Sequence, residues 1–133
     1  ALGQPNLTAA LRCVRDSINS YTVDRLAQTG GAAAMRDRAY FEATAAKVQA
    51  TRERTAARLR ELGFTVYPSA ANFIFISHPD RAARALLAGL REKGVLVRWF
   101  GRPRIDNYLR VSIGTDEEMD AFCAAVQELL TKT

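Results

Sequence analysis

Three polar residues stand where apolar runs begin, end or pass, and their types suit one chemistry. Arg110 lies inside a run that alternates like a strand, between Leu109 and Val111. Arg98 follows directly on Val95, Leu96 and Val97. Asn72 immediately precedes the apolar stretch Phe73, Ile74, Phe75, Ile76. An arginine in an apolar strand is costly to bury unless it meets an anion. Its planar fork matches a carboxylate or phosphate through two parallel hydrogen bonds. Arg98 and Arg110 on neighbouring strands, with Asn72 near them, are therefore candidates for gripping an acidic metabolite. A plain internal ion pair is the alternative for each arginine, and the residues alone leave both readings open. Other chemistries lack their parts: there is no glycine-rich phosphate loop, no Ser-His-Asp set and no carboxylate pair at a strand end. His78, before Pro79, reads as part of a turn. Cys13 and Cys123 read as small buried apolar groups. With one histidine in the chain they make no zinc site, and their scarcity fits the reducing cytosol.

The elements that must position these residues follow from periodicity. Residues 6–17 and 23–36 read as helices separated by the polar break Asn19, Ser20, Tyr21, Thr22. Residues 38–62 form a long helix with Phe41, Ala45, Val48, Thr55, Leu59 and Leu62 on its inner face. Gly63 is placed to stop it. At about 1.5 Å per residue such a helix spans roughly 37 Å, long enough to run past its own core. Residues 64–67 alternate as a strand, and 73–76 read as a central strand buried on both faces. A helix is expected from the turn at His78, Pro79 and Asp80 through Glu92, closed by Gly94. Residues 95–97 are expected as a third strand, 101–107 as a loop around Pro103, and 108–113 as a fourth strand. Thr115 and Glu118 have capping-box spacing, opening a helix that buries Met119, Phe122, Cys123, Val126, Leu129 and Leu130. The fold expected is α/β of the α+β kind. Its N-terminal helices and one long helix pack with a small three- to four-stranded sheet, in the order strand-strand-helix-strand-strand-helix.

The chain has 133 residues, 48% apolar and 25% charged, which is globular composition and argues against disorder. No run of 18 apolar residues offers a membrane span, so no membrane partner is expected. The first residues do not look like a signal peptide. The absence of an initiating Met suggests a piece of a longer chain. The net charge of +5 is almost all arginine, 16 against 3 lysines. Residues 81–110 carry 8 basic and 2 acidic side chains, which suits a small anionic ligand or an ordinary solvated surface. A nucleic-acid partner is not expected. The strands lack exposed aromatic pairs for stacking bases, and adjacent Trp99 and Phe100 would face opposite ways.

Several stretches occur together in a familiar order: NSYTVDRLAQ (residues 19–28), Tyr40-Phe41, Arg52-Glu53, LGFTVYPSAANFIF (62–75), GVLVR (94–98) and YLRVSIGTDEE (108–118). Together they resemble the C-terminal portion of the histidinol-phosphate aminotransferases, fold-type-I pyridoxal-phosphate enzymes. Thr22 stands where those proteins usually have proline. The resemblance implies transfer of an amino group between histidinol phosphate and 2-oxoglutarate or glutamate. It implies that Arg110 holds the carboxylate of the amino-acid partner and that Arg98 helps hold the phosphate or distal acid. It implies that residues 1–37 close a large domain and residues 38–133 form the small domain with its linking helix. Pyridoxal phosphate would belong to the parent enzyme. It needs a lysine to carry it and an acid to pair with its pyridine nitrogen. Lys47, Lys93 and Lys132 are the lysines present, and none sits in the serine-rich lysine motif of that family. The chain alone is therefore expected to bind no cofactor covalently and not to transaminate. The expected setting is the cytoplasm. The expected partners are a small anionic substrate, the missing large domain and a second copy of the protein. Two non-enzymatic readings compete: a stand-alone binding module for small anions or amino acids, and an oligomerisation module built on the helices of residues 6–36.

Overall fold

A computed structural model describes residues 3–18 and 23–131 of the chain. The expected break at residues 19–22 and Lys132 lie outside the described residues. The chain divides into two compact units, one up to Phe41 and one from Glu42 onward.

The first unit contains α1 (Pro5–Ile18) and α2 (Arg25–Arg36). Asp24 caps α2 by accepting the Ala27 amide at 2.8 Å, and Gly30 and Gly31 are accommodated inside the helix. Cys13 is exposed, against the expectation that it is buried. It shares α1 with Leu7, Leu11 and Val14, which are exposed too.

α3 (Arg38–Glu61) begins at the end of the first unit and supplies one wall of the second. Its buried residues are Thr51, Thr55, Ala56 and Leu59. Phe41, expected on the inner face, is 66% exposed, and Ala45, Val48 and Leu62 are half-buried. Gly63 adopts φ +87°, and the Phe64 amide donates back to the Leu59 carbonyl at 3.0 Å. That is the glycine-stopped helix end read from sequence.

The sheet has four strands in the order β1-β2-β4-β3, every pair antiparallel. β1 is Thr65–Val66, β2 Phe73–Ser77, β3 Arg98–Trp99 and β4 Leu109–Ser112. β1 is short because Pro68 has no amide to extend the ladder after the Tyr67 N–H has reached the Phe75 carbonyl. α4 (Ala83–Glu92) and α5 (Asp116–Thr131) join α3 over one sheet face. The core there contains Leu59, Ile74, Ile76, Leu86, Leu90, Leu109, Val111, Met119, Phe122 and Val126. Cys123, Leu129 and Leu130, expected to be buried, are only half-buried against it.

Three further sequence expectations need correcting. β2 is buried on one face, not two: Ile74 and Ile76 point into the core, while Phe73 and Phe75 are half-buried on the other side. α4 starts at Ala83, not at His78. His78 and Arg81 first form an isolated bridge, with the Asp80 amide donating to His78 Nδ1 at 3.1 Å. The third strand is Arg98–Trp99, not residues 95–97. Val95 and Val97 still pack on the core. After the turn at Gly94 (φ +76°), however, the ladder opens only where Arg98 meets Arg110 and Trp99 meets Leu109.

The capping box of α5 is formed. Thr115 N–H donates to Glu118 at 2.8 Å, and Glu118 N–H donates to Thr115 Oγ1 at 3.3 Å. No described helix is long and apolar enough to cross a membrane.

Candidate functional site

Alternation along the strands sorts side chains between two faces. In β4, Leu109 and Val111 enter the core and Arg110 emerges on the opposite, uncovered face. Arg110 lies in register with Phe75 of β2 on one side and with Arg98 of β3 on the other. The two arginines nominated from sequence are therefore direct cross-strand neighbours on one face. Arg98 lies inside β3 rather than after it.

Aromatic rings pave this face. Phe75 stacks on Tyr108 at 4.8 Å and 16° and meets Phe100 edge-on at 6.4 Å. Tyr67 closes one end, its ring edge-on to Tyr108 at 5.6 Å. Their hydroxyls are 3.4 Å apart, and that hydrogen bond holds the Tyr67 phenol above its usual range. Rings beyond Trp99 and Phe100 thus gather on the sheet, but they pack on one another and only Tyr67 among them is exposed. The opposed placement of Trp99 and Phe100 is observed. Trp99 packs toward the core, and Phe100 lies on the arginine face.

The guanidinium groups rest on these rings. Arg98 lies over Phe100 at 5.2 Å. Arg110 lies between Phe73 at 5.3 Å and Phe100 at 5.8 Å. All three distances are within cation–π reach. Among the described residues, neither arginine has a carboxylate within ion-pair distance. Arg110 Nε is buried and has no hydrogen-bond partner. Two like charges directly opposite one another in a sheet repel, and a buried donor without an acceptor is destabilising. A bound oxyanion would relieve both.

Asn72 is exposed at the start of β2, where its carbonyl accepts the Ile113 amide at 2.9 Å. The turn leading to it is fixed from two sides. Arg52, with its side chain 11% exposed, donates to the Ala71 carbonyl at 3.0 Å. Ser69 Oγ donates to the Phe73 carbonyl at 2.6 Å and accepts the Ala71 amide at 3.1 Å. On the β3 side, Trp99 Nε1 donates to the Asp106 carbonyl at 2.6 Å. Asn107 Oδ1 accepts the Ala83 amide at 3.0 Å, capping α4 where Ala82 has no side chain to do so. Asn107, Arg52 and the rings are the residues that sequence reasoning missed. For the rings the signal was present: in residues 73–76 the aromatics occupy one parity and the isoleucines the other.

The two described lysines do not join this face. Lys93 pairs with Glu128 of α5, and Lys47 is exposed on α3. No described cluster of His, Cys, Asp and Glu could hold a metal ion. α3 and α5 are tied by polar contacts instead. Thr51 Oγ1 donates to Asp116 at 2.7 Å, and Arg54 bonds Asp116 at 2.8 Å and also Asp120. The Thr51 hydroxyl, then Arg54, hold the Asp116 carboxyl below its usual range. Partial burial pushes the Cys123 thiol up, away from reactivity.

The family model for aminotransferase class I and II matches residues 1–126. The chain is 51% identical over 130 residues to histidinol-phosphate aminotransferase of Clostridium acetobutylicum, covering 98% of this chain and 37% of that protein. It is 50% identical over 131 residues to histidinol-phosphate aminotransferase 1 of Bordetella parapertussis, again covering 98% and 37%. Among solved structures, histidinol-phosphate aminotransferase from Sinorhizobium meliloti in complex with pyridoxal-5'-phosphate superposes with a TM-score of 0.76 at 27% identity. The match covers 88% of this chain and 33% of that one. The chain thus spans little more than a third of the length of the curated relatives it matches.

Proposed function

The chain belongs to the class I and II aminotransferase family, and on that premise we propose that it is the C-terminal part of a histidinol-phosphate aminotransferase. In this reading residues 1–37 complete the large domain and residues 38–133 form the small domain, α3 being the link. The reaction moves an amino group from histidinol phosphate to 2-oxoglutarate, giving imidazole acetol phosphate and glutamate in histidine biosynthesis. Pyridoxal phosphate supplies the electron-withdrawing chemistry when bound. Its lysine is assigned to the large domain: among the described residues Lys93 is engaged with Glu128, and neither described lysine reaches the arginine face. The contribution of this chain is to bind and orient. Arg110 takes the carboxylate of the amino-acid partner, Arg98 helps take the phosphate or distal acid, and Asn72 is assigned as a third substrate contact.

The observation that carries the reading is the unneutralised cross-strand pair of Arg98 and Arg110 over a shared ring. The test is calorimetric titration of the chain with inorganic phosphate and with 2-oxoglutarate, repeated on Arg110→Ala and Arg98→Ala. Saturable binding lost in Arg110→Ala and weakened in Arg98→Ala supports the reading, and binding indifferent to both defeats it. With added pyridoxal phosphate, the chain alone is expected to give no amino transfer. Turnover, or borohydride trapping of the cofactor on Lys47 or Lys93, would overturn that part.

Exposed Leu26 and Met35 on α2, at 84% and 87%, with Leu7, Leu11 and Val14 on α1, favour association with the large domain and with a second copy. Two unpaired cysteines support the cytoplasm as the setting. Sizing of the chain in solution tests the association: a monomer that binds no apolar dye counts against it.

A further inference from the structure

We infer that Phe100 is a positioning residue of the anion site, its one ring serving as the plate on which Arg98 and Arg110 are held together. The inference rests on the anion reading above and names a residue which that reading does not require.

The two guanidinium groups are opposite in register and carry like charge with no described carboxylate between them, so left to themselves they would splay into solvent. The negative face of an aromatic ring opposes that. Arg110 has two rings, Phe73 and Phe100. Arg98, which is exposed, has Phe100 as its ring. Phe100 is thus the group common to both. Its own place is determined from three sides. Its carbonyl accepts the Arg102 amide at 2.9 Å, its ring meets Phe75 edge-on, and its neighbour Trp99 is pinned to the Asp106 carbonyl. An aliphatic side chain of similar bulk would fill the space and present no negative face.

The test is a double-mutant cycle on the full 133-residue chain, read as phosphate affinity by calorimetry at low salt. Phe100→Leu should weaken phosphate binding about two- to fivefold, the fold-change of one exposed cation–π contact. In an Arg98→Ala background the same substitution should cost a smaller fold-change than in the wild type, because its contact with Arg98 is already gone and only that with Arg110 remains. Phe100→Tyr keeps a ring face and should restore affinity to within about twofold of wild type, which a merely structural role for bulk would not predict. Should Phe100→Leu not fold by circular dichroism, Phe100→Met takes its place in the cycle. Equal losses with and without Arg98, or no rescue by tyrosine, overturn the inference and leave the anion site standing. Failure of the wild-type chain to bind phosphate at all overturns the anion site and the inference together.

Discussion

Replacing Arg110 by methionine should make the free protein more stable while abolishing its response to phosphate. The perturbation keeps a long flexible side chain between Leu109 and Val111 and removes the charge and the buried Nε. That Nε has no acceptor, and a buried unsatisfied donor costs about 1–3 kcal/mol. Facing Arg98 in register costs a further ~0.2–1 kcal/mol as a like-charge cross-strand pair. Against this, the rings of Phe73 and Phe100 each return about 0.5–1 kcal/mol to the cation. Methionine sulfur recovers a similar amount from the same rings, about 0.3–1.5 kcal/mol. At the midpoints of these ranges the balance favours Arg110→Met by about 2 kcal/mol, which in a unit of this size raises Tm by roughly 8–16 °C. Thermal unfolding in phosphate-free buffer measures it. Phosphate at a hundredfold excess over its Kd should then stabilise the wild type by about 2.7 kcal/mol and leave the variant unmoved. A variant less stable than wild type by more than ~1 kcal/mol would mean that Arg110 is a satisfied structural residue. Equal stabilisation of both proteins by phosphate would move the anion elsewhere. Either result refutes the reasoning.

Three further outcomes are expected. Leu59→Ala, at a position with 0% exposure in the core, should cost about 2–5 kcal/mol in denaturant unfolding, whereas Phe41→Ala, 66% exposed on the same helix, should stay within about 0.5 kcal/mol. Asn107→Ala removes the acceptor of the Ala83 amide and should cost about 1 kcal/mol, with Asn107→Asp recovering most of it; no loss in the alanine variant would show that α4 needs no cap from the loop. Asp116, held below its usual carboxyl range first by Thr51 and then by Arg54, contributes stability that is present above the unfolded carboxyl value and lost as pH falls through the lower folded value. Unfolding midpoints followed from neutral pH into acid should therefore decline less steeply in Asp116→Asn than in the wild type, and parallel curves would contradict the assignment.

What the sequence made legible was whatever is decided within a few residues. The stop at Gly63, the capping box of Thr115 and Glu118, and the parity that turns Arg110 away from Leu109 and Val111 are local, and all are observed. What it hid was decided by distant partners. Asn107 caps α4 across 24 residues of chain. The start of that helix was misplaced because the cap comes from a loop that follows it. β3 was misplaced for a related reason: residues 95–97 have the better strand composition, but pairing is set by where β4 lies, and β4 meets Arg98 and Trp99.

That displacement matters more for function than for fold. Side chains alternate along a strand, so a slip of one residue would send Arg98 to the buried face and bring Trp99 out. The register that prevents it is held from the core side. Trp99 pairs with Leu109, packs against the core, donates its indole N–H to the Asp106 carbonyl and lies under Arg84 at 5.2 Å. Each of these contacts is made by the one residue between Arg98 and Phe100. A large amphipathic side chain on the inner face therefore determines that the arginine and the phenylalanine on either side of it emerge together on the outer one. Two like charges brought together this way raise the energy of the free protein. An anion held between them, as proposed, would lower it.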